Sequence, residues 1–196
     1  MSQATRLFPA PPEYYSGPGA IARLGDLAGR YGGKTVIIHG NRGYPLVRSA
    51  VRQSLDRAGV DITEAPAEGY AAEVLSEELL PFAQSCQSVI VVGGGRVMDL
   101  GKHLAHEAKL PCLTVPTSPA TCAAATPAVV YYDANGSYQG SIPLEGLHLI
   151  TVIDTDVVAT APHRLLTAGL ADALAKVIEV RYAVGKLGSD LPVTAL

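Results

Sequence analysis

VIVVGGGRVMDLGKHLAH, residues 89–106, is the stretch that decides the fold. Aliphatic residues run straight into three glycines, and the chain then continues without a breaker at helical spacing. A buried strand, a tight turn and a helix follow from that pattern. Working upstream, KTVIIH (34–39) is a second β-branched run, bounded by Gly32, Gly33 and Gly40. The spacing predicts a helix over 45–58, with Leu46, Val47, Ala50, Val51 and Leu55 inward and a stop at Gly59. A short strand is expected over 60–63, then a helix from Ala71 to Gln84 that Pro81 breaks or kinks. Downstream, a helix over 96–108 and a strand over 112–115 complete the alternation. Strand and helix alternating in this way predict an α/β fold, a doubly wound, mainly parallel sheet covered on both faces.

Beyond Pro116 the pattern changes. Residues 129–140 read as an antiparallel hairpin turning at Asn135-Gly136, and residues 148–153 as another strand. From Pro162 to about Ala183 one long helix is expected, with Leu166, Leu170, Ala173, Leu174, Val177 and Ile178 forming a broad apolar face. Two units follow: an α/β domain over 1–161, and over 162–196 the opening helix of a helical domain whose remainder lies beyond this chain. The composition, 48% hydrophobic and 17% charged, is globular. A net charge of -3 with no basic run argues against nucleic acid or a membrane surface as partner. No apolar run approaches the roughly 20 residues of a membrane helix, and MSQATRLFPAPPEYY (1–15) carries no signal-peptide core, so a cytoplasmic location is expected. Cys86, Cys112 and Cys122 form no CxxC pair; Cys86 and Cys112 read as small buried hydrophobes.

Three segments carry chemistry. Gly93, Gly94 and Gly95 let backbone N–H groups approach a ligand with no Cβ in the way, and the helix that follows adds unpaired donors suited to a pyrophosphate. Met98 stands where the GxGxxG fingerprint needs its third glycine, so a ligand-free tight turn remains open. Asp99, Lys102 and His106 share one helix face, as a solvated ion pair or as the floor of a nucleotide cleft. Thr117, Ser118, Thr121 and Thr126 enrich the next loop in hydroxyls, which cap helices or bind phosphate and ribose. Asp172 interrupts an apolar helical stretch, either as a satisfied polar residue at a domain boundary or as a carboxylate facing a cation.

In this order, GGGRVMDLGK (93–102), the VPTSPATC loop (115–122) and RLLTAGLADALAKVIE (164–179) resemble the glycerol dehydrogenase branch of the iron-containing alcohol dehydrogenase superfamily. The resemblance implies NAD or NADP in a cleft between an α/β and a helical domain. Gly93, Gly94, Gly95 and Asp99 would line the pyrophosphate and nicotinamide region, with Thr117, Ser118, Thr121, Thr126 and Tyr132 also on the cofactor. Lys102 and Cys122 are the candidates for a part in the reaction, and Asp172 matches the aspartate ligand of a catalytic zinc or iron ion. The implied partners are a small alcohol or polyol, a helical domain in cis or in trans, and further copies in a homo-oligomer.

Three departures stand out. His39, His103, His106, His148 and His163 do not match the family's histidine ligands. Cys122 replaces the aspartate that faces substrate in glycerol dehydrogenases. Asn41-Arg42 replaces the usual acid on the ribose, which admits a 2′-phosphate and hence NADP. Rival readings are a dehydroquinate-synthase-like lyase and a non-catalytic nucleotide-binding half-protein.

Overall fold

A computed structural model describes residues 13–67, 72–133 and 135–187. The expected helix start at Ala71 and the segment from residue 188 onward lie outside them. Eight strands occur among the described residues: β1 (Glu13–Gly17), β2 (Lys34–His39), β3 (Asp61–Pro66), β4 (Ser88–Gly93), β5 (Cys112–Pro116), β6 (Ala128–Tyr132), β7 (Tyr138–Pro143) and β8 (Leu149–Asp154). The helices are α1 (Leu24–Gly29), α2 (Tyr44–Arg57), α3 (Ala72–Gln84), α4 (Gly95–Glu107), α5 (Thr155–Ala159) and α6 (His163–Leu187), with a 3-10 turn over Ala20–Arg23 ahead of α1. Six strands form one sheet in the order β1-β8-β5-β4-β2-β3, every neighbouring pair parallel. Strands β6 and β7 make a separate antiparallel pair.

The central strands are mostly aliphatic because both of their faces are covered. Ile37, Ile90, Val92, Leu113, Val115, Ile150 and Val152 join α1 and α2 in one core cluster. Their alternate neighbours, Val36, Ile38, Val89, Val91, Cys112 and Leu149, join α3 and α4 in the other. Period-two alternation between two apolar layers is what a doubly wound sheet requires. Cys86 and Cys112 are buried as expected, and burial pushes the Cys112 thiol up to about 12.

Several expectations need correction. Helix α2 starts at Tyr44 and buries Tyr44, Val47, Val51, Ser54 and Leu55, leaving Leu46 and Ala50 in solvent. Pro81 does not break α3, which runs through it to Gln84. Strand β1, unmarked by any aliphatic run, pairs with β8 at the sheet edge, where one of its faces stays wet. Asp154 ends β8 and starts α5: its buried carboxylate accepts from the backbone of Gly19 (3.2 Å), Ile21 (3.2 Å) and Asp156 (3.1 Å). Among the described residues no helix is long and apolar enough to cross a membrane.

Helix α6 presents two unlike faces. Leu165, Gly169, Asp172 and Ala175 are half-buried, whereas Leu166, Leu170, Leu174, Val177 and Ile178 face solvent, Leu174 at 70% and Ile178 at 72% exposure. The apolar stripe read from the sequence is therefore the outer face.

Helices α1 and α2 cross at Gly25, where an added Cβ would fall 2.1 Å from the Ser54 carbonyl oxygen, a backbone atom that cannot rotate away. The Gly25 N–H also donates to Ser54 Oγ at 2.9 Å. Gly25→Ala is expected to cost about 1 to 3 kcal/mol of overpacking, despite alanine's better helix propensity. Urea denaturation checks it; a variant as stable as the parent would show the crossing to be slack.

Candidate functional site

Strand β2 lies at the point where the order of the sheet reverses. Strand β3 pairs on one side of it and β4 on the other. The helix that follows β2 packs in the first core cluster and the helix that follows β4 in the second, so the two connections leave on opposite faces. A crevice opens between them at the carboxyl ends of the strands, where ligands of open α/β sheets bind.

Glycines let the walls of this crevice come together. A Cβ on Gly43, in the loop after β2, would meet Thr117 Oγ1 at 2.2 Å. A Cβ on Gly93 would meet Val97 Cβ at 2.9 Å, and one on Gly95 would meet Thr121 Oγ1 at 3.2 Å. The Thr117 N–H donates to the Gly93 carbonyl at 2.9 Å, which carries the β4–β5 pairing one step into the loops.

Gly94 is different. It is the N-cap of α4 with φ -95 and ψ -176, an extended backbone open to any residue, and no side chain caps the helix there. A Cβ on it would meet nothing nearer than Ser118 Oγ at 3.9 Å. Neither backbone conformation nor packing requires glycine at this position.

The loop over 117–126 is fixed from behind. The Ala124 carbonyl accepts from two buried hydroxyls of the sheet, Thr114 Oγ1 at 2.7 Å and Thr151 Oγ1 at 3.1 Å. Thr126 Oγ1 donates to the Cys122 carbonyl at 2.9 Å, and Thr121 Oγ1 accepts from the Ala123 N–H at 3.3 Å. Both hydroxyls cap the turn. Thr117 and Ser118 are half-buried; Cys122 is exposed at the rim.

Lys102 and Asp99 are the charged groups this geometry buries. Of the two readings that the spacing allows, the solvated ion pair is excluded, since both side chains are buried. The Lys102 side chain is wholly buried; Nζ lies 3.2 Å from Asp99 Oδ1 and donates to the carbonyls of Thr126 (2.9 Å) and Ala128 (2.5 Å). An ammonium has three protons, and all three are engaged. Asp99 in turn accepts from the Val130 backbone. Burial pulls Lys102 down and pushes Asp99 up, and their mutual attraction opposes both shifts. The pair ties α4 to the start of β6. Tyr132, half-buried at the end of β6, sits at an irregularity in the β6–β7 register.

A group the sequence did not flag closes the β2 side. His39 stacks on Tyr44, ring centroids 4.2 Å apart, and its buried Nδ1 has no hydrogen-bond partner. Burial holds its pKa below the ordinary value. Tyr44 donates to Glu64 Oε1 at 2.7 Å, and Arg48 and Arg52 pair with the same carboxylate. Asn41 and Arg42, next along the chain, are exposed at the mouth of the crevice. The only sequence signal was an aromatic ring five residues after a strand-end histidine.

Asp172 stands apart, half-exposed on α6 with Lys176 Nζ at 3.5 Å. His103 bonds Tyr131, His148 bonds Tyr31 and His106 neighbours Glu107, so these do not gather at Asp172. Among the described residues no three His, Cys, Asp or Glu side chains could hold a metal ion together.

Comparison with known proteins fits this geometry. Residues 15–162 match the iron-containing alcohol dehydrogenase family. The chain is 32% identical over 180 residues to a glycerol dehydrogenase of Pseudomonas putida, covering 91% of this chain and 49% of that one. It is 32% identical over 177 residues to a glycerol-1-phosphate dehydrogenase [NAD(P)+] of Pyrobaculum neutrophilum, covering 89% and 48%. The crystal structure of glycerol dehydrogenase from Schizosaccharomyces pombe superposes with a TM-score of 0.80 at 30% identity, over 91% of this chain and 46% of that one. The chain spans about half the length of the curated relatives it matches.

Two outcomes follow from the buried charges. Lys102→Met strands Asp99 and two carbonyls, an expected loss of about 3 to 5 kcal/mol in urea unfolding; Asp99→Leu with Lys102→Met recovers much of it. A single variant as stable as the parent would refute the tie. Burial by itself would raise the Glu64 carboxyl, but bonds from Arg48, Tyr44 and Arg52 outweigh it and hold the group at about 2, below its ordinary 4.5. Its folded pKa is depressed, so its stabilisation is complete above pH 4.5 and is lost as pH falls toward 2. Glu64→Gln should flatten that part of the stability profile, and an unchanged slope would refute the assignment.

Proposed function

Because the chain belongs to the iron-containing alcohol dehydrogenase family and is glycerol dehydrogenase-like, we propose that it forms the dinucleotide-binding part of a cytoplasmic NAD(P)-dependent alcohol or polyol dehydrogenase. The observation that carries this reading is Gly94. A glycine that the fold does not need, at an uncapped helix start in the switch-point crevice, leaves space for a ligand that approaches the backbone closely. A pyrophosphate is the group such a helix terminus favours.

On this reading the adenosine end lies toward Asn41 and Arg42, with Arg42 available to a 2′-phosphate. The nicotinamide end lies toward the 117–126 loop and β6, where the Lys102–Asp99 pair holds the carbonyl-bearing strand in place. This chain's contribution is orientation: it presents one face of the ring to the alcohol carbon and keeps the other against protein. Cys122 at the rim offers the substrate a thiol. A thiol accepts hydrogen bonds weakly, so the preferred alcohol carries fewer hydroxyls than glycerol.

Zinc or iron is the metal the family implies. Asp172 suits such an ion as one ligand, but the described residues give it no companion. A catalytic zinc site takes three protein ligands. We assign the others to a helical domain opening within residues 162–196 and completed in cis or in trans.

Calorimetric titration with NADH and NADPH tests the cofactor assignment. The 196-residue polypeptide should bind at least one of them, Gly94→Val should abolish binding without unfolding the protein, and Arg42→Ala should weaken NADPH alone. No binding of either dinucleotide, or binding indifferent to Gly94→Val, would overturn it. The same polypeptide with added zinc should not form NAD(P)H from 1,2-propanediol or glycerol. Turnover by it alone would overturn the metal assignment.

A further inference from the structure

We propose that Gly169 is a positioning residue whose contact with Pro119 couples the dinucleotide groove to the helix that carries Asp172. The inference rests on the reading of that groove as a cofactor site. An ideal Cβ on Gly169 would lie 1.9 Å from the Pro119 carbonyl oxygen, 3.0 Å from its carbon and 3.4 Å from Ala120 Cα. All three atoms are backbone, so no rotamer change makes room. The bare Cα is what allows α6 to sit directly on the loop.

The loop cannot readily yield. The Ala124 carbonyl is held by Thr114 and Thr151, the Thr117 N–H by the Gly93 carbonyl, and Thr121 lies against Gly95. A ligand that orders the Gly94 turn therefore acts on the same loop that α6 rests on. On the helix side, Leu165, Gly169, Asp172 and Ala175 recur at spacings of four and three and share the half-buried face. Asp172 thus stands about 4.5 Å along the axis from the seat, three residues at 1.5 Å each. An alanine would push the helix outward by about 1.5 Å to restore normal contact, a displacement on the scale that costs about 100-fold when reacting groups are misplaced.

Glycine is also the costlier choice for the helix itself, by about 1 kcal/mol against alanine. Gly169→Ala therefore strengthens α6 as a helix while unseating it, and those two effects separate a positioning role from a structural one. Ala168→Gly, one residue off the seat on an exposed position, weakens the helix and leaves the contact alone.

Hydrogen exchange of the full chain, free and with saturating NADH, tests the coupling. Without ligand, Gly169→Ala should speed exchange in residues 117–126 about tenfold while β2 and β4 are unchanged; Ala168→Gly should leave that loop as in the parent. With NADH, amides of residues 163–175 should gain about tenfold protection in the parent and in Ala168→Gly, and none in Gly169→Ala. Protection of α6 that persists in Gly169→Ala, or a loop indifferent to that change, overturns the proposal. If the parent binds no NADH, the cofactor reading fails, and the ligand-free arm still decides whether the seat holds the loop.

Discussion

Strands β2 and β4 lie side by side, and their helices leave on opposite faces of the sheet. Each connection must turn away from the other as soon as its strand ends, which opens a gap between them at the carboxyl ends of the strands. The crevice is a consequence of connectivity, and the site depends on it. Glycine recurs at 40, 43, 93 and 95 because loops diverging from adjacent strands only 4.8 Å or so apart leave little room for side chains between their backbones. At Gly43 and Gly93 that room is already taken by Thr117 and Val97. Gly94, between Gly93 and Gly95, keeps its space open, so packing does not account for it.

What shapes the crevice on the far side is polar rather than apolar. The β6–β7 pair lies outside the main sheet, and its small core of Val129, Tyr131 and Leu144 is too slight to fix its place. The buried Lys102 ammonium adds two carbonyls and a carboxylate to that hold, and the Tyr131–His103 hydrogen bond joins β6 to α4 as well. Burying charge is costly unless every bond is satisfied, and here every proton of the ammonium is. The contrast with Lys176 is instructive. That lysine reaches Asp172 and Glu179 in solvent, where such pairs contribute about 0 to 1 kcal/mol, so it places nothing.

Legibility in the sequence followed burial. Strands covered on both faces read as unbroken aliphatic runs, and β2, β4, β5 and β8 were all marked that way. The half-wet edge strand β1 left only Tyr14 and Tyr15 as a trace. Helix α2 was recognised but rotated, because Leu46 counted as apolar while the true inward residue, Tyr44, carries a hydroxyl aimed at Glu64. The site divided similarly. The glycine turn and the hydroxyl loop lie in continuous segments and could be read. Lys102 could not, since an i,i+3 pattern reports only its own helix and its carbonyl partners stand 24 and 26 residues away. His39 needed Tyr44 and the carboxylate of another strand before it meant anything.

Helix α6 reverses the usual amphipathic rule. A surface helix turns its apolar stripe to the core, but here the half-buried face is Leu165, Gly169, Asp172 and Ala175, while Leu166, Leu170 and Leu174 face out. Each leucine left in water forgoes on the order of 2 kcal/mol of burial, and propensity alone rarely sustains a helix against such a loss. The inner face is seated on the Pro119 backbone through Gly169, and the outer leucines are the part of the helix that the α/β domain leaves uncovered. In that arrangement Asp172 stops being an oddity in an apolar stretch. It lies at the edge between the two faces, half-exposed and 3.5 Å from Lys176 Nζ.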